Sequence, residues 1–274
     1  MSKKQRKKIV LKKKTSSKNA PFESIKKATV AMAFLHYENK QQPFTILGSG
    51  FCIHKSGVVV TCSHVVEAFF KKSFDEYIAS IKDEEKKKQL QNIPNVQALV
   101  AHALFYQFHP DKKRIMVIPV QMDVGTVQMD FDLGLIRLQP HNMFPKGYPT
   151  VQFEDFNQLH EGMDISTCGF PLGSFLQKSL GTVTSSFTRG IISSMIPALS
   201  TRMLLEAFQL DLRATHGNSG GPVFSLVSGK VFGVLQGGID DDYGNPLFSR
   251  AESIYRLLDS GAIEDILSMK NPYN

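Results

Sequence analysis

The sequence predicts a globular protein that contains buried β-strands, and three apolar runs carry that prediction. Residues 57–61, 131–138 and 231–238 are short, rich in aliphatic side chains and bounded by turn residues, which is typical of buried strands. The chain has 274 residues, of which 42% are hydrophobic, and it contains 20 glycines. A chain of this length and composition can bury a large core.

One glycine-rich segment stands out in the second half of the chain. Residues 215–224 read Thr-His-Gly-Asn-Ser-Gly-Gly-Pro-Val-Phe, so glycines flank Ser219 on both sides. A hydroxyl that attacks a carbonyl needs two backbone N–H groups aimed at the oxyanion, and glycine lets the backbone approach that closely. Gly217 and Ser219 are the expected donors. Because the same residues are ordinary in tight turns, partners elsewhere must decide between a nucleophile and a structural turn.

The order of those partners along the chain narrows the class of site. A nucleophilic serine needs a histidine as base and a carboxylate to orient it, and unrelated folds supply them in different orders. The segment also fits the G-x-S-x-G elbow of α/β-hydrolases, but that fold places its histidine after the serine, and none follows Ser219. A subtilisin order needs an aspartate first, whereas the first aspartate, Asp75, follows His64. The order His, Asp, Ser remains.

His64 is the candidate base, because it follows the predicted strand 57–61, where a rigid scaffold can hold an imidazole toward a cleft. His54 precedes a Ser-Gly turn and is assigned to the surface. Asp132 is the candidate orienting group, since a carboxylate at the start of an apolar strand needs a partner and an imidazole N–H supplies one. Asp130, two residues earlier and on the same strand face, is the alternative.

Six ordered segments resemble those of chymotrypsin-fold serine proteases, most closely the HtrA/Deg type. They are Gly48 to Ile53, Gly57 to Val66, Asp132 to Leu138, Gly169 to Gly173, Gly181 to Thr184 with Gly190 to Ser193, and Asp211 to Phe224. The resemblance implies an all-β fold of two perpendicular six-stranded antiparallel β-barrels, with the site in the cleft between them. It implies that His64 is the general base, Asp132 its orienter and Ser219 the nucleophile, with an oxyanion hole from the Gly217 and Ser219 amides.

The function implied by the resemblance is that of a serine endopeptidase, which hydrolyses peptide bonds in protein substrates through an acyl-enzyme. The alternative from another class is a catalytically silent binding module that keeps the motif but holds the site misformed. About 25 residues follow the last predicted strand, too few for a PDZ domain. Asn218 replaces the aspartate that pairs with a new N-terminal amine in digestive enzymes, and a neutral amide cannot form that ion pair. We therefore expect activity without N-terminal cleavage.

Substrate contacts are predicted at two places. Arg213, six residues before the nucleophile, corresponds to the floor of the S1 pocket, where a guanidinium can pair with an acidic P1 side chain. A guanidinium that points to solvent is the alternative. The end of the predicted strand 231–238, Gln236, Gly237 and Gly238, is expected to bind the substrate backbone as an added antiparallel strand.

The chain is divided into four predicted parts. They are a disordered basic tail at 1–20, an N-terminal β-barrel at 21–140, a C-terminal β-barrel at 141–250 and a C-terminal helical segment at 251–274. Between His64 and Asp132, aromatic residues and isoleucines recur at helical spacing before a mixed charge run. This pattern predicts an amphipathic helical insertion near 66–90 that packs on the barrel, with partner binding as the alternative. At the C-terminus, residues 251–258 and 263–269 are predicted to be short helices.

The charge distribution along the chain limits the cellular locations and binding partners that the sequence predicts. The first eighteen residues hold nine Lys or Arg and no acid, and the rest of the chain has 23 basic against 25 acidic residues. Such a tail is usually solvated, with binding to nucleic acid or an anionic surface as the alternative. It lacks the apolar run of a secretion signal, so we expect a cytoplasmic, intracellular protein without a transmembrane segment. An activating partner and an oligomer, which the HtrA resemblance suggests, are further partner expectations.

The three cysteines, Cys52, Cys62 and Cys168, are odd in number and lie in apolar strand contexts. Free cysteines in such contexts behave as small buried hydrophobes. Their separation along the chain lacks the spacing of metal ligands. The sequence therefore predicts neither a metal centre nor a cofactor.

Overall fold

The computed structural model describes two β-barrels. The described residues are 20–35, 44–70, 84, 88, 101–108, 114–128, 131–173, 183–197, 205–240 and 246–269. Each barrel is closed and has six antiparallel strands, which confirms the predicted all-β, double-barrel fold. The predicted basic tail up to residue 19 lies outside the described residues, as does the predicted insertion between 71 and 90 except for the helical residues Glu84 and Lys88.

The first barrel has the strand order β1-β2-β3-β6-β5-β4. Its strands are β1 Thr29–Leu35, β2 Phe44–His54, β3 Val58–Thr61, β4 Ala101–Phe108, β5 Ile115–Gln128 and β6 Gly134–Leu138. All four residues of β3 are buried, as its β-branched composition predicts. Strand β6 begins at Gly134 and not at 131, because Asp132 has a φ of 50°, which an extended strand does not allow.

The second barrel has the order β10-β11-β12-β9-β8-β7. Its strands are β7 Asp164–Gly169, β8 Ser186–Pro197, β9 Leu205–Asp211, β10 Pro222–Ser225, β11 Val231–Asp240 and β12 Pro246–Ser253. The predicted strand 231–238 is therefore present as β11. Its core includes Phe208 and Phe232, both fully buried, whose rings meet edge to face at 4.9 Å. Burying one such side chain contributes about 1.5–3 kcal/mol.

The helices whose bounds lie in the described residues are α1 Ala20–Ala28, α2 Ser63–Phe70, α3 Tyr255–Leu258 and α4 Ala262–Ser268, with a 3₁₀ turn at Phe156–Gln158. The predicted helix at 251–258 starts only at Tyr255, because Ser253 still pairs with Gly233 of β11. In the described part of the chain, no helix combines the length and the apolar character needed to cross a membrane.

Helix α1, which the sequence assigned to the tail and the first barrel, lies against strands β1, β2 and β4 of the first barrel and also contacts the second barrel. The Phe22 ring contacts the rings of Phe187 and Phe224 edge to face, at 5.3 and 5.8 Å between centroids. Ile25, one turn later, is buried. Since α1 leads directly into β1, this contact joins the two barrels before the first strand begins.

Helix α4 is held against the first barrel by Arg137 of β6. The guanidinium donates to the carbonyls of Ile266 at 2.8 Å and Met269 at 2.5 Å. Carbonyls in the last turn of a helix have no intrahelical partner, and a cation there also complements the helix dipole. The C-terminal segment is thus packed on the barrel that lies earlier in the chain.

Candidate active site

His64 lies in the first turn of α2, three residues after the last residue of β3. The sequence predicted it at the strand end, but the helix begins at Ser63, where the amides of Val65 and Val66 donate to the Cys62 carbonyl at 3.1 and 3.2 Å. Gly134 lets this helix approach β6, since a Cβ there would lie 2.6 Å from a Val66 methyl group. The helix therefore fixes the backbone of His64 while its side chain stays half exposed.

Asp132 occupies the turn between β5 and β6, directly opposite His64. Both carboxylate oxygens lie 3.0 Å from His64 Nδ1. Oδ1 also accepts hydrogen bonds from the Ser63 hydroxyl at 2.8 Å and the His64 amide at 3.1 Å. The alternative carboxylate, Asp130, lies outside the described residues.

These hydrogen bonds decide the ionisation of Asp132. Burial alone raises the pKa of this carboxyl, but the bonds from His64 and Ser63 outweigh burial and hold the pKa below its ordinary value. The group is therefore a carboxylate at neutral pH. A carboxylate at Nδ1 favours the imidazole tautomer that carries its proton on Nδ1, which leaves the Nε2 lone pair free.

Ser219 lies in the turn before β10, between Gly217 with a φ of 96° and Gly220 with a φ of 87°. At Gly220 a Cβ would lie 2.0 Å from the Ser49 carbonyl oxygen, so glycine is required for the turn to pack on β2. The Ser219 hydroxyl donates to the Gln236 carbonyl at 2.6 Å. Between the described residues His64 and Ser219 there is no hydrogen bond.

The backbone around Gly217 is oriented by contacts on both sides. The His216 carbonyl accepts from the Leu172 amide at 2.7 Å, and the Gly217 carbonyl accepts from the Ser49 hydroxyl at 2.6 Å. The C=O and N–H of a trans peptide point in opposite directions, so the Gly217 N–H points away from Leu172. No described group accepts a hydrogen bond from the N–H of Gly217 or Ser219, and both donors are available to an oxyanion.

Backbone strain is concentrated at this site. Among the described residues, Asp132 and Leu172 are the non-glycine residues with positive φ, both at 50°. Such conformations cost about 1–3 kcal/mol each and persist where the surroundings impose them, typically at functional sites. Asp132 orients His64, and Leu172 orients the peptide that carries the Gly217 N–H.

Gln236 makes a contact that the sequence did not predict. It was predicted, with Gly237 and Gly238, to pair with the substrate backbone. Its side-chain amide also donates to Asp132 Oδ2 at 3.1 Å, so β11 of the second barrel contacts the carboxylate of the first. Gly237 and Gly238 pair with Arg250 and Ser249 of β12. Their role in substrate binding stays a prediction.

Arg213, the predicted S1 residue, is exposed, and its predecessor Leu212 is buried. The Leu212 carbonyl accepts from the buried Ser249 hydroxyl at 2.8 Å, which fixes the backbone before Arg213 against β12. An exposed guanidinium fits either of the two alternatives that the sequence left open. The preference for an acidic P1 residue therefore stays a prediction.

Sequence analysis gave no role at this site to an ionic cluster behind the Asp132 turn. The Glu252 carboxylate, which is 2% exposed, binds Arg250 at 3.1 Å and Arg256 at 3.4 Å. The Arg256 guanidinium lies 3.8 Å from the centroid of the Phe131 ring, and Phe131 directly precedes Asp132. Helix α3 thus supports the turn that presents the carboxylate. No local sequence signal links 131 to 256, because the contact arises only when the barrels pack together.

Comparison with known proteins identifies a family and several relatives. The model of the family described as "Trypsin-like peptidase domain" matches residues 48–234. A protein of Halomonas elongata named "Probable periplasmic serine endoprotease DegP-like" is 26% identical over 188 residues, covering 69% of this chain and 28% of its own length. Its namesake in Pseudomonas putida strain W619 is 26% identical over 196 residues, covering 72% and 30%. The chain thus spans less than a third of the length of these relatives.

Solved structures show the same fold. The structure titled "Crystal structure of Deg5" has a TM-score of 0.55 at 18% identity, covering 89% of this chain and 92% of that one. The structure titled "HtrA-type protease AlgW with tripeptide" has a TM-score of 0.56 at 17% identity, covering 92% and 64%. At these identities the likeness supports the double-barrel architecture alone.

The relatives correct one expectation. The sequence predicted a cytoplasmic, intracellular protein, whereas the relatives are named periplasmic endoproteases, and the cytoplasmic prediction is wrong. It depended partly on the unpaired cysteines, and Cys52, Cys62 and Cys168 are indeed free and buried. A thiol buried in a core is shielded from oxidants in any compartment, so unpaired cysteines of this kind do not identify the cytoplasm.

Proposed function

The chain belongs to the trypsin-like peptidase domain family, and on that premise we propose that it is a serine endopeptidase that cleaves protein substrates through Ser219, His64 and Asp132. One observation carries the proposal. The backbone of Asp132 is strained at φ 50°, and its carboxylate lies 3.0 Å from His64 Nδ1. The amides of Gly217 and Ser219 face no acceptor among the described residues. A buried structural aspartate would need none of this alignment.

The reaction begins with rotation of the Ser219 hydroxyl from the Gln236 carbonyl to His64 Nε2. His64 then takes the hydroxyl proton while Oγ attacks the substrate carbonyl, and the negative charge moves to the carbonyl oxygen. The amides of Gly217 and Ser219 donate to that oxyanion. His64 passes the proton to the leaving amine, the C–N bond breaks, and the acyl group remains on Ser219. Water, deprotonated by His64, attacks the ester and releases the acid and the free serine.

Asp132 stabilises the charged imidazole during both proton transfers. Its carboxylate is fixed by the Ser63 hydroxyl, the His64 amide and the Gln236 side chain, and this favours the ring orientation in which Nδ1 faces Asp132. Contact with Gln236 means that the second barrel helps to hold the base of the first. Substrate backbone bound along 236–238 would lie beside these groups and bring the scissile carbonyl to Ser219.

A specific observation favours the second candidate function, a silent binding module. The Ser219 hydroxyl is bonded to the Gln236 carbonyl and not to His64. A hydroxyl rotates about one single bond between staggered positions, and contacts that are absent without substrate often form only in the complex. We therefore favour the serine endopeptidase over the catalytically silent binding module.

Labelling by a fluorophosphonate probe distinguishes the two functions. The active protease is expected to form one covalent adduct, which Ser219→Ala abolishes and His64→Ala slows strongly, because the probe needs an activated hydroxyl. Ser225, a buried serine of β10, supplies the control variant Ser225→Ala, which should still be labelled. Absence of labelling in a folded protein would favour the silent module.

A further inference from the structure

We propose that Cys62, His64 and Asp132 form a site for a thiophilic divalent cation such as Zn²⁺, and that occupation of this site inhibits the enzyme. The sulfur of Cys62, one ring nitrogen of His64 and a carboxylate oxygen of Asp132 all lie within 4.8 Å of one another. Thiolate, imidazole and carboxylate are the three ligand types that zinc takes in proteins. The inhibitory half of the proposal depends on the proposed function, whereas the metal site depends on geometry alone.

The distances suit a tetrahedral ion after a small movement. Zinc bonds nitrogen and oxygen at about 2.0–2.2 Å and sulfur at about 2.3 Å, so two ligands of one ion lie roughly 3.3–3.6 Å apart. His64 Nδ1 and the Asp132 oxygens are already 3.0 Å apart. If the sulfur lies at the 4.8 Å limit from another ligand atom, a shift of roughly 1.2–1.5 Å brings it to the separation of two zinc ligands. The fourth position would be filled by water from the cleft, as in zinc sites with three protein ligands.

The site is accessible from one side. The side chains of His64 and Asp132 are 50% and 27% exposed, so an arriving ion meets them first. Cys62 is buried behind them, where its thiol donates to the Leu235 carbonyl at 3.2 Å. Burial, and next the charge of Asp132, raise the pKa of the Cys62 thiol well above its ordinary value. A thiol gives up its proton when it binds a metal ion.

Occupation would inhibit through the imidazole tautomer. Catalysis needs the proton on Nδ1 and a lone pair on Nε2. A metal at Nδ1 takes the lone pair of that atom and leaves the proton on Nε2, so His64 can no longer accept the Ser219 proton. The same ion also occupies the Asp132 carboxylate. Turnover should fall while substrate still reaches its binding strand.

Linear spacing could not reveal this cluster. The sequence analysis compared the separation of the cysteines with one another, and Cys52 and Cys168 are indeed elsewhere in the cores. Of the ligands proposed beside Cys62, His64 is two residues away in the chain. Asp132 is seventy residues away and is brought close by the pairing of β3 with β6. The proposed site uses a single cysteine, so the spacing between cysteines, on which the expectation of no metal centre depended, does not bear on it.

The binding half is tested with Cd²⁺ alone, titrated into the full chain carrying Ser219→Ala. We expect one equivalent of cadmium to produce the ultraviolet thiolate-to-metal absorption band. Adding Cys62→Ala should remove the band, and adding Cys168→Ala, which deletes a buried thiol of the second barrel, should keep it. Cys62→Ser, which retains the volume and a hydroxyl donor for Leu235, serves if the alanine variant does not fold. A band that survives both Cys62 substitutions would overturn the site.

The inhibitory half is tested by the rate of fluorophosphonate labelling with and without Zn²⁺, each variant compared with its own metal-free rate. Zinc should slow labelling of the parent and of Cys168→Ala, with recovery on adding a chelator. The inhibitory concentration should rise at least about tenfold in Cys62→Ser, since loss even of a group that supports a ligand costs 10–100-fold in affinity. Equal inhibition of Cys62→Ser would overturn this half. A protein that binds cadmium but is never labelled would instead contradict the proposed function.

Discussion

At the residue scale, Asp132 concentrates the most interactions. Donors from Ser63, His64 and Gln236 converge on one carboxylate, in a backbone conformation that aspartate tolerates better than most residues. The local sequence was enough to select this residue, because an acid at the start of an apolar strand needs a partner. It could not reveal the Gln236 contact, which is made by a side chain 104 residues away in the other barrel.

We predict that Asp132→Asn lowers the labelling rate of Ser219 by about 10⁴-fold, the loss found when the orienting aspartate of the chymotrypsin template is replaced, because the wrong tautomer is stabilised. Stability should also lose part of its pH dependence. A lowered pKa of Asp132 stabilises the fold above the unfolded pKa and loses that contribution as the pH falls through the folded value. Urea unfolding between about pH 7 and about pH 3 should show a steeper loss for the parent than for the variant. Parallel curves would contradict the ionised, hydrogen-bonded aspartate.

At the element scale, the sequence identified the glycine-rich turn before β10. Its glycines led us to expect a backbone that approaches an oxyanion, and in the structure Gly220 also lies against the Ser49 carbonyl of β2. The partner of the turn was not predictable, because it is a main-chain oxygen and any residue type supplies one. The same limit applies to the Leu172 amide, whose role follows from a conformation and not from a side chain.

Gly220→Ala and Gly162→Ala form a matched pair. Both glycines have φ above 80°, so each alanine is expected to cost about 1–2 kcal/mol of unfolding free energy in a left-handed conformation. At Gly162 no atom lies within 4 Å of the new Cβ, whereas at Gly220 it meets Ser49 O at 2.0 Å. Gly162→Ala should therefore lose little unfolding free energy and still be fully labelled by the probe. Gly220→Ala should be strongly destabilised in chemical unfolding and should not be labelled. Full labelling of Gly220→Ala would contradict the assigned contact between turn and barrel.

At the scale of the whole molecule, the candidate site exists only where the barrels meet. His64 and Asp132 come from the first barrel, and Ser219 and Gln236 come from the second. Further contacts tie them together, including the Ser49 amide donating to the Ser219 carbonyl at 2.7 Å. The two-barrel architecture was implied by a family resemblance, whereas these contacts depend on the packing of residues far apart in the chain and had no sequence signal.

The Arg256 contact tests this interdependence. Arg256→Met should retain much of the apolar volume but remove the charge that binds Glu252 and faces the Phe131 ring. We expect a loss of about 1–3 kcal/mol in unfolding free energy, since a buried carboxylate loses one charged donor, together with slower labelling because the Asp132 turn loosens. Arg189→Met, at an exposed position, is the control and should stay within about 0.5 kcal/mol of the parent. Equal effects of the two substitutions would show that helix α3 does not support the site.

The crystal structure of the covalent adduct between Ser219 and a peptidyl phosphonate tests the central claim most directly. The phosphoryl oxygen should lie about 2.7–3.1 Å from the amide nitrogens of Gly217 and Ser219, with His64 Nδ1 still bonded to Asp132 and the Ser219 Oγ turned away from the Gln236 carbonyl. A phosphoryl oxygen that points to solvent, or an adduct on any residue other than Ser219, would contradict the catalytic assignment.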